Sequence, residues 1–226
     1  RTWLYEILKL YSHNQNLKNF LKNRKIVKFN NQFIKFIHDC SDPNPYPIRA
    51  TKQKFNNKKV INKKKIILIR DPREIIISFW YQIKFREKTY NHNISKFIED
   101  EYLGIKKIIS FYNLIDLEFS ENYKIITYAN LVNNTYEEIE KILNHFNLVV
   151  DKKLIIKCID ECSFQKLQKK EIIKSKDKDI KSLKFRVGSP GDFKKDLSDQ
   201  DLLKINSKIR EGLNENFKKI LNLENL

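Results

Sequence analysis

The sequence predicts an α/β domain whose central parallel sheet is flanked by helices, and three observations carry that expectation. Lys65-Ile66-Ile67-Leu68-Ile69-Arg70 is a short apolar run almost without alternation, as in a parallel strand covered on both faces. A helix start, Asp71-Pro72-Arg73-Glu74, follows it at once. Strand-like runs then alternate with helix-like runs along the chain, joined by short turns. No internal repeat is apparent. The 226 residues fit a single domain, 1–226, large enough to bury most of its apolar surface without a disulfide or a structural metal.

Trp3, Leu4, Ile7, Leu8 and Leu10 recur at helical spacing, so a helix covers residues 3 to 10 and starts at or just before Arg1. Phe33 to His38 reads as a strand, and Asp39 to Pro47, with three prolines, as loop; His38 therefore ends a strand. Lys65 to Arg70 is expected at the centre of the sheet. In the next helix Asp71 is the N-cap, Pro72 the first helical residue and Glu74 the partner for a reciprocal capping contact, with helix continuing to about Arg86. A helical stretch follows from Ile94 to Leu117, then a strand from Lys124 to Tyr128. Thr135 with Glu138 makes a second capping-box pattern, and Ile139, Ile142, Leu143 and Phe146 form one apolar helix face. Residues 171 to 183 are charged and weakly periodic, which predicts a surface loop. A last helix, from about Ser198 to Leu221, buries Leu202, Ile205, Ile209, Leu213 and Phe217. Ligands of parallel sheets bind beyond the carboxyl ends of strands, where His38, Arg70 and Tyr128 fall.

With 41% hydrophobic and 12% aromatic residues the composition is that of a folded protein. A net charge of +17 suggests nucleic acid, an anionic membrane or a polyanionic substrate as partner. Against nucleic acid, the lysines are scattered through an Asn- and Ile-rich background, with no arginine-rich helix or basic block interleaved with aromatics. Cys40, Cys158 and Cys162 include no CxxC pair, which fits buried free thiols in a reducing, cytoplasmic compartment and gives no metal motif. No apolar run approaches the ~20 residues of a membrane span. The chain contains no methionine and opens on Arg1-Thr2-Trp3-Leu4, so a native N-terminus is expected upstream, where a signal or anchor would lie.

A phosphate monoester needs cationic and neutral donors converging from several directions, and Arg70 with Ser78 offers one of each beside a helix start. Ser78 lies six residues after Pro72, about 9 Å along the helix, so the anion must sit beside the first two turns rather than at the tip. Its side chain points back toward the helix start, within reach of a joint contact with Arg70. The competing structural reading is a serine satisfied by its own helix and an arginine paired with Asp71.

Ile66 to Tyr81 resembles the 3'-phosphate-binding segment of PAPS-dependent sulfotransferases, which has an Arg at the strand end and a Ser eight residues on; Arg70 and Ser78 match. Phe185-Arg186-Val187-Gly188-Ser189-Pro190-Gly191-Asp192-Phe193-Lys194 resembles the family's RKGxxGDWK loop, with Val187 in place of Lys and Phe193 in place of Trp. The resemblance implies that Arg186 and Gly188 serve the same 3'-phosphate. Arg1 to Glu6 resembles the end of the 5'-phosphosulfate loop PKSGTTW: Thr2 and Trp3 match, Arg1 replaces the first Thr, and the positions of Lys, Ser and Gly would precede residue 1. Tyr128-Ala129-Asn130-Leu131 resembles the YEDL element and Ser163-Phe164 the SF element, both near the adenine in the family. The family places its base histidine at a strand end, as His38 is placed here, with a common Lys two positions earlier that is Phe36 in this chain. Imidazole suits removal of the acceptor proton near neutral pH.

The resemblance spans nearly all 226 residues and implies a P-loop nucleotide-hydrolase-like sulfotransferase fold lacking the first strand. It also implies an enzyme that moves a sulfuryl group from PAPS to an acceptor hydroxyl or amine, releases PAP and uses no metal. Two other readings remain open at this point: a PAP-binding protein impaired in transfer, suggested by Phe36, Val187 and the absent lysine, and a basic binder of polyanions or nucleic acid.

Overall fold

A computed structural model of the chain describes residues 2–14, 26–29, 32–36, 64–114, 123–175, 179–186 and 190–226. In chain order these form α1 (Thr2–Asn14), β1 (Ile26–Phe29), β2 (Gln32–Lys35), β3 (Lys65–Ile69), α2 (Pro72–Tyr81) running into a π-helical turn (Gln82–Arg86), α3 (Ile94–Glu99) and α4 (Ile105–Leu114). There follow β4 (Tyr123–Thr127), α5 (Tyr128–Asn133), α6 (Thr135–His145), α7 (Lys152–Glu161), α8 (Phe164–Lys174), 3-10 turns at Ile180–Ser182 and Asp192–Lys195, α9 (Asp199–Gly212) and α10 (Glu215–Ile220). The fold is α/β, mostly helical with a small parallel sheet. Residues 1–38 with 130–188 form one compact unit and 39–129 with 189–226 another.

In the first unit, α1 packs on α7 and α6 on α7. Leu4, Ile7, Leu8 and Tyr11 of α1 are buried, as the spacing of its apolar residues requires. The Tyr11 hydroxyl donates to Val149 O (2.8 Å) and accepts from Asp151 N (2.9 Å), tying α1 to the start of α7. β1 and β2 pair antiparallel from Ile26↔Lys35 to Phe29↔Gln32, with Val27 and Phe29 buried on one face at the period of two. The segment predicted as a strand from Phe33 is therefore half of a hairpin rather than a parallel strand, and His38 lies outside the described residues.

The second unit is built on β3 and β4, parallel from Lys65↔Tyr123 to Ile69↔Thr127. Asp71 caps α2, its side chain accepting from Arg73 N at 2.8 Å with Pro72 in the first turn, as expected. Ile76, Ile77 and Phe79 of α2 join Ile105, Ile108 and Ile109 of α4 and Ile205 and Ile209 of α9 in one core.

Several expectations are corrected. The run from Ile94 to Leu117 is broken, because Asp100 Oδ1 accepts from Tyr102 N (3.0 Å) and Leu103 N (2.9 Å) and so competes with helix. The chain then folds back so tightly at Gly104 that a Cβ there would lie 2.4 Å from Asp100 O and 2.5 Å from Ile98 O. The last helix is also two. Asn113 of α4 donates to Gly212 O (2.7 Å) and accepts from Asn214 N (2.9 Å), satisfying the backbone where α9 ends and α10 begins. Leu202 is half-buried, whereas Ile205, Ile209, Leu213 and Phe217 are buried as predicted. Much of the predicted loop 171–183 is structured, since α8 continues to Lys174 and a 3-10 turn covers Ile180–Ser182. Neither capping box closes: Asn134 is the N-cap of α6, Glu138 pairs with Lys141 (2.7 Å), and Glu74 turns to other partners. His145 is buried with its ring edge-on to Phe146.

Candidate functional site

Arg70 is the first residue beyond the β3–β4 ladder, where its backbone N–H and C=O need partners outside the sheet. The Tyr112 hydroxyl supplies both, accepting from Arg70 N (2.9 Å) and donating to Arg70 O (2.6 Å), while its ring stacks on Phe217 at 5.1 Å. The Arg70 side chain is held twice more. Its Nε donates to Glu74 Oε2, and its guanidinium lies over the Tyr128 ring, 4.2 Å from the centroid. Among the described residues Glu74 is its one hydrogen-bonded partner, so the two terminal nitrogens remain as parallel donors on a side chain 27% exposed.

The structural reading in which an arginine pairs with Asp71 applies to a different arginine. Arg73 makes that pair, with Nη2 2.7 Å and Nε 3.1 Å from Asp71 Oδ2. It also lies over Phe193 at 4.6 Å and donates to Asn206 Oδ1 at 3.4 Å. Arg73 is thus engaged in structure, while among the described residues the terminal nitrogens of Arg70 meet no hydrogen-bonding partner. Asp71 fills the tip of α2 with a carboxylate, so an anion near this helix is disfavoured at the tip and favoured at its side. Ser78 is exposed on α2, about 9 Å along the helix from Pro72.

Glu74, only 8% exposed, is the residue that sequence reasoning missed. Besides Arg70 it holds Gly191, whose N–H donates to Glu74 Oε1 at 2.6 Å. Gly191 has φ +85°, a left-handed conformation that favours glycine, in the turn just before the Asp192–Lys195 3-10 helix. The signal available in the sequence was the four-residue spacing from Arg70 to Glu74, but the three-residue spacing from Asp71 to Glu74 matched a capping contact equally well.

Tyr128 opens α5 directly after β4, with one ring face covered by Arg70. Burial pushes its phenol up, the Arg70 cation pulls it down and the Glu74 charge raises it again; the net is upward, which keeps the hydroxyl protonated as a donor.

Thr2, Trp3, Ser163, Phe164 and Arg186 belong to the other unit. Thr2 and Trp3 open α1, and Trp3 Nε1 donates to Cys162 O at 2.8 Å, beside Ser163 at the start of α8. Phe164 meets Phe185 edge-on at 6.3 Å. Gln168 donates to Phe185 O (2.7 Å), and Glu171 accepts from Lys184 N (2.9 Å) and Phe185 N (3.0 Å). Two side chains of α8 therefore set the path of the chain into Arg186, which is half-buried. Gly188 and His38 lie outside the described residues. Phe36, where the family's common Lys would stand, packs edge-on against Tyr5 at 5.3 Å.

Burial pushes the thiols of Cys158 and Cys162 up to about 11, so both stay protonated and poor as nucleophiles near neutral pH. Among the described residues no group of three or more His, Cys, Asp or Glu side chains is placed to hold a metal ion, and no helix is long and apolar enough to cross a membrane.

The sulfotransferase domain family matches residues 1–219 of the chain. Among solved structures, the chain resembles mouse sulfotransferase SULT7A1 complexed with PAP, with a TM-score of 0.54 at 14% sequence identity. The likeness covers 77% of this chain and 63% of the mouse chain, so the present chain spans less than two thirds of that protein. No curated protein sequence gives a significant match.

Proposed function

Because the chain belongs to the sulfotransferase domain family, we propose that it transfers a sulfuryl group from PAPS to an acceptor hydroxyl or amine, releasing PAP, with 1–226 as a single sulfotransferase domain. The observation that carries this reading is the state of Arg70. It is fixed at its backbone by Tyr112, at Nε by Glu74 and on its face by Tyr128, while among the described residues nothing takes its two terminal nitrogens, a fork beside α2. A fork of that kind matches the oxygens of a phosphate monoester, and Ser78 adds a neutral donor on the adjacent helix. Arg70 and Ser78 are therefore assigned to the 3'-phosphate that distinguishes PAP from AMP. Tyr128 and the Ser163-Phe164 pair are assigned to the adenine, Thr2 and Trp3 to the 5' side, and Arg186 and Gly188 to the nucleotide, as the resemblance implies.

PAPS supplies the activated sulfuryl group. In the transfer a bond forms from the acceptor oxygen or nitrogen to sulfur, the bond from sulfur to the 5'-phosphate oxygen breaks, and PAP leaves with the electron pair. The acceptor proton goes to His38, whose imidazole is suited to the task near neutral pH. A held 3'-phosphate contributes by fixing the nucleotide so that attack can be in line.

A second reading, a PAP-binding protein without transfer, is favoured by Phe36, whose ring is engaged with Tyr5 where the family has a cation. Calorimetric titration of the full-length protein with PAP tests the site. Arg70→Ala and Ser78→Ala should each weaken binding, and indifference to both would sink the assignment. Transfer from labelled PAPS to a panel of hydroxylated and amine acceptors then separates enzyme from binder, since a binder titrates with PAP but labels nothing.

A further inference from the structure

Resting on the assignment of Arg70 to the 3'-phosphate, we propose that Glu74 is a positioning residue for nucleotide recognition, which aims the Arg70 fork and pins Gly191 through the same carboxylate. Glu74 directs its bonds away from the start of its own helix. A glutamate in the first turn of a helix ordinarily reaches back to the N-cap backbone, yet here Asp71 caps the helix alone and Glu74 faces away from it. One oxygen goes to the residue at the end of β3, and the other to a backbone N–H 117 positions further along the chain. A carboxylate buried this deeply is costly to desolvate, and apolar side chains would pack the same space as well or better. What the carboxylate does there is hold Arg70. With Nε engaged and the guanidinium face on Tyr128, rotation of the arginine is restricted and the edge left over is the one that reads phosphate.

Glu74 also links Arg70 to Gly191. Because Gly191 donates to Glu74 while Arg70 donates to its other oxygen, the turn leading into Asp192–Lys195 and the strand-end arginine share a reference point. The negative charge of Glu74 itself opposes an incoming phosphate. The proposal therefore requires the gain from orientation to exceed that repulsion, which gives the test a sign.

The test compares affinities of the full-length protein for PAP and for AMP, which lacks the 3'-phosphate, by calorimetry, with thermal unfolding as a parallel readout. Glu74→Gln retains an oxygen acceptor for Gly191 but presents an amide, which cannot accept from Arg70, at the other end. Arg70→Ala should lower the PAP-to-AMP affinity ratio about a hundred-fold. Glu74→Gln should lower it about ten-fold with AMP binding unchanged, and should add nothing in the Arg70→Ala background. A ratio that stays put or rises in Glu74→Gln overturns the proposal, as does a parallel loss of both nucleotides with a fall in Tm, the mark of a merely structural acid. If Glu74→Gln does not fold, Glu74→Asp, which keeps the charge and shortens the reach, is judged by the same ratio. An Arg70→Ala ratio equal to wild type overturns the phosphate assignment and the proposal together; an effective Arg70→Ala with an ineffective Glu74 variant overturns the proposal alone.

Discussion

Tyr112→Phe removes one oxygen and leaves the ring, so its consequences fall on the backbone of Arg70. Tyr112 is 3% exposed, and its stack on Phe217, 5.1 Å between centroids at 15°, does not involve the hydroxyl. The hydroxyl satisfies one donor and one acceptor, Arg70 N at 2.9 Å and Arg70 O at 2.6 Å. Leaving a buried backbone group without its partner costs about 1–3 kcal/mol. Arg70 is only half-buried, so water relieves part of the loss and the lower end applies to each group, about 2 kcal/mol for the two together. At about 2–4 °C per kcal/mol for a chain of this size, Tm should fall by about 4–8 °C. Urea denaturation gives the free energy directly, and titration with PAP should show weaker binding as the Arg70 backbone loosens. A loss of stability below about 0.5 kcal/mol, within the range of an indifferent surface change, would refute the idea that the hydroxyl holds the strand end.

Glu171→Gln replaces a carboxylate that accepts from the backbone of Lys184 and Phe185 by a weaker, uncharged acceptor. The segment before Arg186 should loosen by about 1 kcal/mol, read as faster tryptic cleavage after Lys184 and Arg186 in limited proteolysis; an unchanged rate refutes the anchoring role. Burial raises the Cys158 and Cys162 thiols from 9.0 to about 11, so the folded state favours the protonated form. The unfolded chain releases these protons first. The associated stability is therefore fully present below about pH 9 and is lost as pH rises toward about 11. In a Cys40→Ser background, native protein at pH 8 should resist iodoacetamide and denatured protein should react; stoichiometric labelling of the native form would contradict the burial.

The parts of the fold legible in the sequence are those whose energies are local. Asp71-Pro72 announces α2 because a cap and a first-turn proline act within one helical turn, and the face Ile139, Ile142 and Leu143 is set by a period of 3.6 residues. The place of Arg70 at the end of β3 was legible for the same reason, since it stands where an apolar run meets a cap. What failed depended on distant partners. Whether a helix continues through residues 100–104 was decided by the Asp100 turn and the close approach at Gly104, and whether one helix or two follows Ser198 by Asn113, 99 residues from the Gly212 carbonyl it meets.

By itself, then, the sequence determined the α/β alternation, the starts of the principal helices and the presence of an arginine and a serine on one strand-loop-helix segment. Only the tertiary structure decided how the two arginines are partnered. Two guanidiniums stand three residues apart beside two carboxylates, and their local spacings allow either pairing. Packing against Phe193 and Asn206 commits Arg73 to Asp71, while Tyr112, Tyr128 and the carboxylate of Glu74 hold Arg70, whose terminal nitrogens meet no hydrogen-bonding partner among the described residues. Charges choose partners by distance and desolvation, and both are set by elements brought together from across the chain.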